Sequence, residues 1–91
     1  MSVSLNAWID LTKHSSSPEE SLEFRENLEA AITQYEIGET VWAGMLADGS
    51  AVDVTIETED EEHARLFLED YLGHCGVYQD TKVTLEEPTS E

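Results

Sequence analysis

The chain has 91 residues, of which 21 are Asp or Glu and 4 are Lys or Arg, for a formal charge of −17 at pH 7. That length makes one domain with an adequate core, and a hydrophobic content of 40 % is too high for a disordered acidic tail. The sign of the charge excludes direct binding to nucleic acid or to an anionic membrane surface, both of which would repel it.

The magnitude also matters. A compact chain of this size is on the order of 30 Å across, a length over which duplex DNA carries ~17 or 18 phosphate charges. Per unit length the protein is about as negative as DNA. Cys75 is the single cysteine, which excludes an internal disulfide and suits a reducing compartment. The opening residues have no basic stretch and no long apolar run, so no signal peptide is expected. No segment approaches the ~18 apolar residues of a membrane span. The expectation is a cytoplasmic protein with one acidic domain over residues 1–86 and a flexible acidic tail over 87–91.

From Val3 to Leu11 apolar and polar residues alternate, which predicts a strand with Leu5, Ala7 and Ile9 inward and Asn6, Trp8 and Asp10 outward. Ser17, Pro18 and Glu20 then give a capping box with proline in the first helical position. A helix follows to about Glu36. Its core stripe is Phe24, Leu28, Ala31, Ile32 and Tyr35, and Glu19, Glu23, Glu26 and Glu29 line the opposite side. Like charges at that spacing destabilise a helix by a few tenths of a kcal/mol each, and Arg25 is the one local counter-charge.

After Ile37-Gly38-Glu39, a strand over Thr40–Leu46 places Val41, Ala43 and Met45 on one face and Trp42 on the other. Asp48-Gly49 predicts a type I′ hairpin turn, and Ala51–Thr58 returns with Val52, Val54 and Ile56 inward. Thr58 with Glu61 reads as a second capping box for a helix over Glu59–Leu72, closed by Gly73 and Gly76. Val77–Leu85 is the last strand, with Tyr78 and Asp80 outward. The order β-α-β-β-α-β predicts a ferredoxin-like α+β fold: a four-stranded antiparallel sheet, both helices on one face, the other face open.

Chemistry-bearing patterns are weak. The run Glu57, Glu59, Asp60, Glu61, Glu62 has neither the glycine nor the spacing of a calcium loop. His14, His63, His74 and Cys75 do not form paired metal-ligand spacings. Adjacent His74 and Cys75 do not make a nucleophile–base pair, and no phosphate-binding glycine motif is present. No metal, cofactor or enzymatic activity is expected. The open face carries Trp8 and Trp42, placed as in the RNA-stacking surface of RRM modules, but without the RNP sequences and in anionic surroundings. These tryptophans then serve as apolar anchors for a protein partner or as a homodimer contact.

The charge itself has two readings, a surface directed at a cationic partner or adaptation to a salty cytoplasm. Fifteen of the acids are Glu and six are Asp, and the Glu bias tilts toward the partner. With Glu19, Glu23, Glu26, Glu29 and the Glu57–Glu62 run on a small motif-free domain, the chain resembles the DNA-mimic inhibitors of phages and mobile elements, the anti-CRISPR and anti-restriction kinds. That resemblance implies a stoichiometric inhibitor of a basic nucleic-acid-binding protein, with those acids and Trp8 and Trp42 in the interface. The alternatives are an immunity protein for a nuclease toxin, and an ACT-like ligand-binding or dimerisation domain. The absence of glycine from Thr12–Ser17 counts against the last.

Overall fold

The alternation that begins at Val3 becomes an eight-residue central strand, β1 (Val3–Asp10), around which the other elements are arranged. The structure, a computed structural model, describes residues 2–14 and 17–86. After β1 come α1 (Pro18–Gln34), β2 (Glu39–Met45), β3 (Ala51–Thr58), α2 (Glu61–His74), one 3-10 turn (Tyr78–Asp80) and β4 (Thr81–Glu86). The strands pair antiparallel in the order β2-β3-β1-β4. This is the ferredoxin-like fold, with both helices packed on one face of the sheet. Among the described residues, no helix is long and apolar enough to cross a membrane.

The inward residues of β1 and β3 meet the helices in one core: Leu5, Ala7, Ile9, Val54 and Ile56 against Leu28 and Ile32 of α1 and Leu68 and Leu72 of α2, all with no exposed surface. Each of the larger side chains contributes ~1.5–3 kcal/mol of transfer free energy. Tyr35, expected in the core stripe of α1, is instead 61 % exposed. The helix stops at Gln34, which carries Tyr35 past the edge of the core.

Both helices end in the same way. Glu36 has a positive φ of 55° while the Ile37 N–H reaches back to the Ile32 carbonyl. Gly76 has a φ of 78° while the Val77 N–H reaches the Leu72 carbonyl. Each is a Schellman closure sealed by a buried apolar pair. At the first, a glutamate holds a conformation that costs a non-glycine residue about 1–2 kcal/mol.

Three local expectations are corrected. The Thr40 to Trp42 step is a β-bulge: Thr40 lies opposite Ile56 and Trp42 opposite Thr55, so Val41 is an extra residue. Val41 is therefore 52 % exposed rather than inward. Beneath the bulge the Thr40 hydroxyl is buried with no partner among the described residues. The hairpin loop is not type I′, because Asp48 keeps a negative φ and only Gly49 is left-handed, at 77°. Instead the Gly49 N–H bonds to Leu46 O, Ser50 donates its N–H to the Asp48 carboxylate, and the Ser21 hydroxyl of α1 donates to Gly49 O. The Ser50 hydroxyl and then its N–H hold the Asp48 carboxyl below the usual aspartate range. Finally, α2 is capped by Asp60, which accepts from the His63 N–H at 3.0 Å, and not by Thr58. The Thr58 hydroxyl is turned inward to donate to Ile37 O at 2.9 Å.

The last strand also begins later than its sequence suggests, since Tyr78–Asp80 forms the 3-10 turn. Tyr78 consequently sits against Leu66 and Val83 on the helix side and not on the open face. The tail 87–91 lies outside the described residues.

Compensation of charge is sparse. Arg25 pairs with Glu29 at 3.2 Å and Arg65 with Glu61 at 2.8 Å. The excess negative charge opposes compaction. The melting temperature of the isolated chain is therefore expected to rise as salt increases from low ionic strength to a few tenths molar, where the Debye length falls to several Å. Differential scanning calorimetry across that range checks this. A melting temperature independent of salt would show that repulsion is not a significant term.

Candidate functional site

The acidic side chains are not spread evenly. On the outer face of α1, Glu19, Glu23 and Glu26 are exposed and, among the described residues, have no ion-pair partner. Successive members lie three or four residues apart, a rise of about 5 Å each. Glu29 belongs to the same stripe but is half-buried and accepts a hydrogen bond from the Arg25 Nε, so it is partly neutralised.

The stripe leads toward a second concentration. The strand order brings the start of β2 and the end of β3 to one end of the molecule, where α1 ends and α2 begins. There Glu36, Glu39, Glu57, Glu59 and Asp60 line an open cleft of about 530 Å³, and His63 also borders it. Glu39 and Glu57 are directly opposite across β2 and β3, and Ser4 stands between Glu57 and Glu86 in the adjoining strands. Like charges directly opposite in a sheet are unfavourable. Two acids here have structural duties: Asp60 caps α2 and Glu61 holds Arg65. Glu62 is exposed in the first turn of α2, where the helix dipole favours a carboxylate.

The open face of the sheet reads as three rows across β2, β3, β1 and β4. They are Glu39, Glu57, Ser4, Glu86; then Trp42, Thr55, Asn6, Thr84; then Gly44, Asp53, Trp8, Lys82. Trp8 and Trp42 are 42 % and 60 % exposed, as the alternation expected of outward residues. The floor between them is polar. Asn6 donates its amide to the Thr55 hydroxyl at 3.0 Å and to Asp53 Oδ2 at 3.3 Å. The predicted site residues thus fall on opposite sides: the α1 stripe on the helix layer, the tryptophans on the sheet. Only the acidic end touches both, through Glu36, Glu59 and Asp60 on one side and Glu39 and Glu57 on the other.

The remaining chemistry-bearing residues do not assemble. Nε2 of His14 lies 2.6 Å from the Asp80 carboxylate at the other end of the sheet, and Nδ1 of His74 lies 3.1 Å from the Asp70 carbonyl oxygen, near the end of its own helix. Burial pushes the Cys75 thiol above its ordinary pKa, the opposite of an activated nucleophile. No group of three potential metal ligands occurs among the described residues.

Glu36, Glu39 and Glu86 were not singled out from the sequence. They are scattered along it, and only the crossing connections bring them beside the Glu57–Glu62 run. Glu86 falls on the outward phase of its strand, which was an available signal, whereas Glu39 shares the sequence phase of Val41, Ala43 and Met45 and faces outward only because of the bulge at Val41. Comparison of the chain with protein-family models, with curated proteins and with solved structures gives no match.

Proposed function

We propose that this protein is a stoichiometric inhibitor that occupies the cationic groove of a nucleic-acid-handling protein, its carboxylates taking the place of phosphates. The observation that supports this reading is the band of acids, without ion-pair partners among the described residues, that runs along α1 through Glu19, Glu23 and Glu26 and on to the cleft at Glu36, Glu39, Glu57 and Glu59. Such a band weakens the fold by repulsion and gives no packing in return. Lysines at some of those exposed positions would have kept solubility and relieved the strain. A partner with Lys and Arg spaced for a duplex backbone relieves it as well, and it gains charge-assisted hydrogen bonds.

The experiment is capture from a bacterial lysate on the immobilised chain at low and at high salt, with the bound protein identified by mass spectrometry. Purified partner and labelled duplex are then mixed with increasing amounts of the chain while fluorescence anisotropy is followed. We expect the duplex to be displaced at a one-to-one ratio. Association should be fast, and affinity should fall markedly between low and physiological ionic strength, where screening acts over ~8–10 Å. Simultaneous binding of duplex and chain, or affinity indifferent to salt up to about 0.5 M, would overturn the reading.

A further inference from the structure

The third row of the open face contains a small built site. Gly44 has no side chain, and the space a Cβ would take is already bordered by two groups: it would lie 2.8 Å from Asp53 Oδ1 and 3.3 Å from the indole Nε1 of Trp42. The indole of Trp42 is therefore folded along its own strand over the bare Gly44 backbone, with the Asp53 carboxylate beside it. On the other flank Asp53 stands directly opposite Trp8. One carboxylate thus sits between two exposed indoles.

The two oxygens of that carboxylate differ. Oδ2 accepts from the Asn6 amide at 3.3 Å, which orients the group. Oδ1, the oxygen over Gly44, has no hydrogen-bond partner among the described residues, and neither has the Trp42 indole N–H. The Asp53 carboxylate thus lies beside the Trp42 indole with one oxygen that accepts no hydrogen bond among the described residues. A cation placed over an indole face is attracted by the ring quadrupole, and more strongly where a carboxylate lies alongside. A guanidinium, being planar, stacks on the ring and still presents N–H groups edge-on to an oxygen.

The geometry points to Trp42, Asp53 and Trp8 as a receptor for one arginine side chain of the protein partner. This rests on the proposed function for the partner being basic, and it adds which residue type the sheet face receives. Charge complementarity selects this occupant over a second copy of the chain, which would bring another −17 and has only four Lys and Arg to offer. Two of those, Arg25 and Arg65, are held in ion pairs on their own helices. Lys82 is opposite Trp8 on β4, on the side of Trp8 away from Asp53.

The test uses the full chain and a capped hexaarginine peptide, with a capped hexalysine peptide of equal charge as comparison, in about 0.15 M salt. Both tryptophans of the chain are at the site, so their fluorescence reports occupancy. Expected results are tighter binding of the arginine peptide with a change in tryptophan emission, and a loss of about tenfold in Asp53→Asn and in Trp42→Ala. Gly44→Ala, whose Cβ would fall 2.8 Å from Asp53 Oδ1 and 3.3 Å from the Trp42 Nε1, should push both side-chain ends aside and lose as much while its circular dichroism and melting temperature stay near those of the parent. Glu69→Gln, exposed on α2 and outside both the α1 stripe and the acidic cleft, should change peptide affinity little. Unchanged affinity in Asp53→Asn and Gly44→Ala, silent tryptophan emission, or tryptophan-dependent self-association in sedimentation would overturn the assignment. If these fail while the chain still displaces duplex from its partner, only the arginine receptor falls. If the peptide binds as described while no duplex is ever displaced, the receptor stands and the inhibitor reading falls.

Discussion

Reversal of Glu23 and Glu26 to Lys is expected to weaken partner binding by an order of magnitude or more while leaving the fold intact or slightly more stable. Both side chains are exposed on the outer face of α1 and neither is in an ion pair among the described residues. No core contact is lost, and the unfavourable neighbours Glu19 with Glu23 (i,i+4) and Glu26 with Glu29 (i,i+3) become favourable, while positions 23 and 26 stay like-charged. In a complex, each reversal turns an attractive contact with a phosphate-binding Lys or Arg into a repulsive one, and close interfacial charge pairs couple by ~1.5–7 kcal/mol. Displacement of labelled duplex, measured beside thermal unfolding of the same variant, gives both quantities. The companion variant is Trp8→Ala with Trp42→Ala on the opposite side of the molecule. If the tryptophan pair abolishes binding and the glutamate reversal does nothing, phosphate mimicry by α1 is wrong and the sheet is the whole interface.

The second large effect separates two glycines of nearly equal backbone geometry. Gly49 and Gly76 have φ of 77° and 78°. A Cβ at Gly76 meets nothing within 4 Å, whereas one at Gly49 would fall 2.7 Å from the Pro18 Cα and 3.2 Å from the Ser21 hydroxyl. Gly76→Ala should therefore cost only the left-handed strain, about 1–2 kcal/mol. Gly49→Ala adds displacement of the hairpin from the start of α1, for a total of about 3–4 kcal/mol. In a domain of this size each kcal/mol lowers the melting temperature by roughly 4–8 °C, so urea and thermal unfolding resolve the pair easily. Equal losses in the two variants would show that the hairpin does not rest on α1 as closely as described.

Signals that repeat, or that a single residue type dictates, carried over from sequence to structure. The alternation of Leu5, Ala7 and Ile9, the Ser17-Pro18-Glu20 helix start and the spacing of Ala64, Leu68 and Leu72 all became the elements they indicated. From those the ferredoxin-like order followed. Decisions between two nearly equivalent local arrangements were not legible. Thr58 and Asp60 both suit a helix N-terminus, and the choice fell to Asp60 because the Thr58 hydroxyl bonds to Ile37 O, a residue distant in sequence. Asp48-Gly49 suits more than one turn, and contact with Ser21 and Pro18 accompanies the one adopted. For the candidate site, the α1 stripe was visible because helical periodicity is local. The acidic end was half visible, as the Glu57–Glu62 run alone. Glu36, Glu39 and Glu86 join it through sheet order, and the approach of Asp53 to Trp42 over Gly44 depends on where one indole lies.

The bulge at Val41 has a consequence for the edge of the sheet. Among the described residues β2 has a neighbour only on one side, so its outer row of N–H and C=O groups is a template for a further strand. For most acidic proteins mutual repulsion prevents such pairing, but that defence fades wherever salt or a cationic partner neutralises the surface, which for this chain is its proposed working state. An extra residue in the middle of the strand interrupts the template by shape, independently of charge. The same interruption reverses the inside–outside phase, so that Thr40 faces the core while Trp42, two residues later, faces out. One inserted residue thus guards the edge against polymerisation and supplies the sheet face with its most exposed aromatic ring.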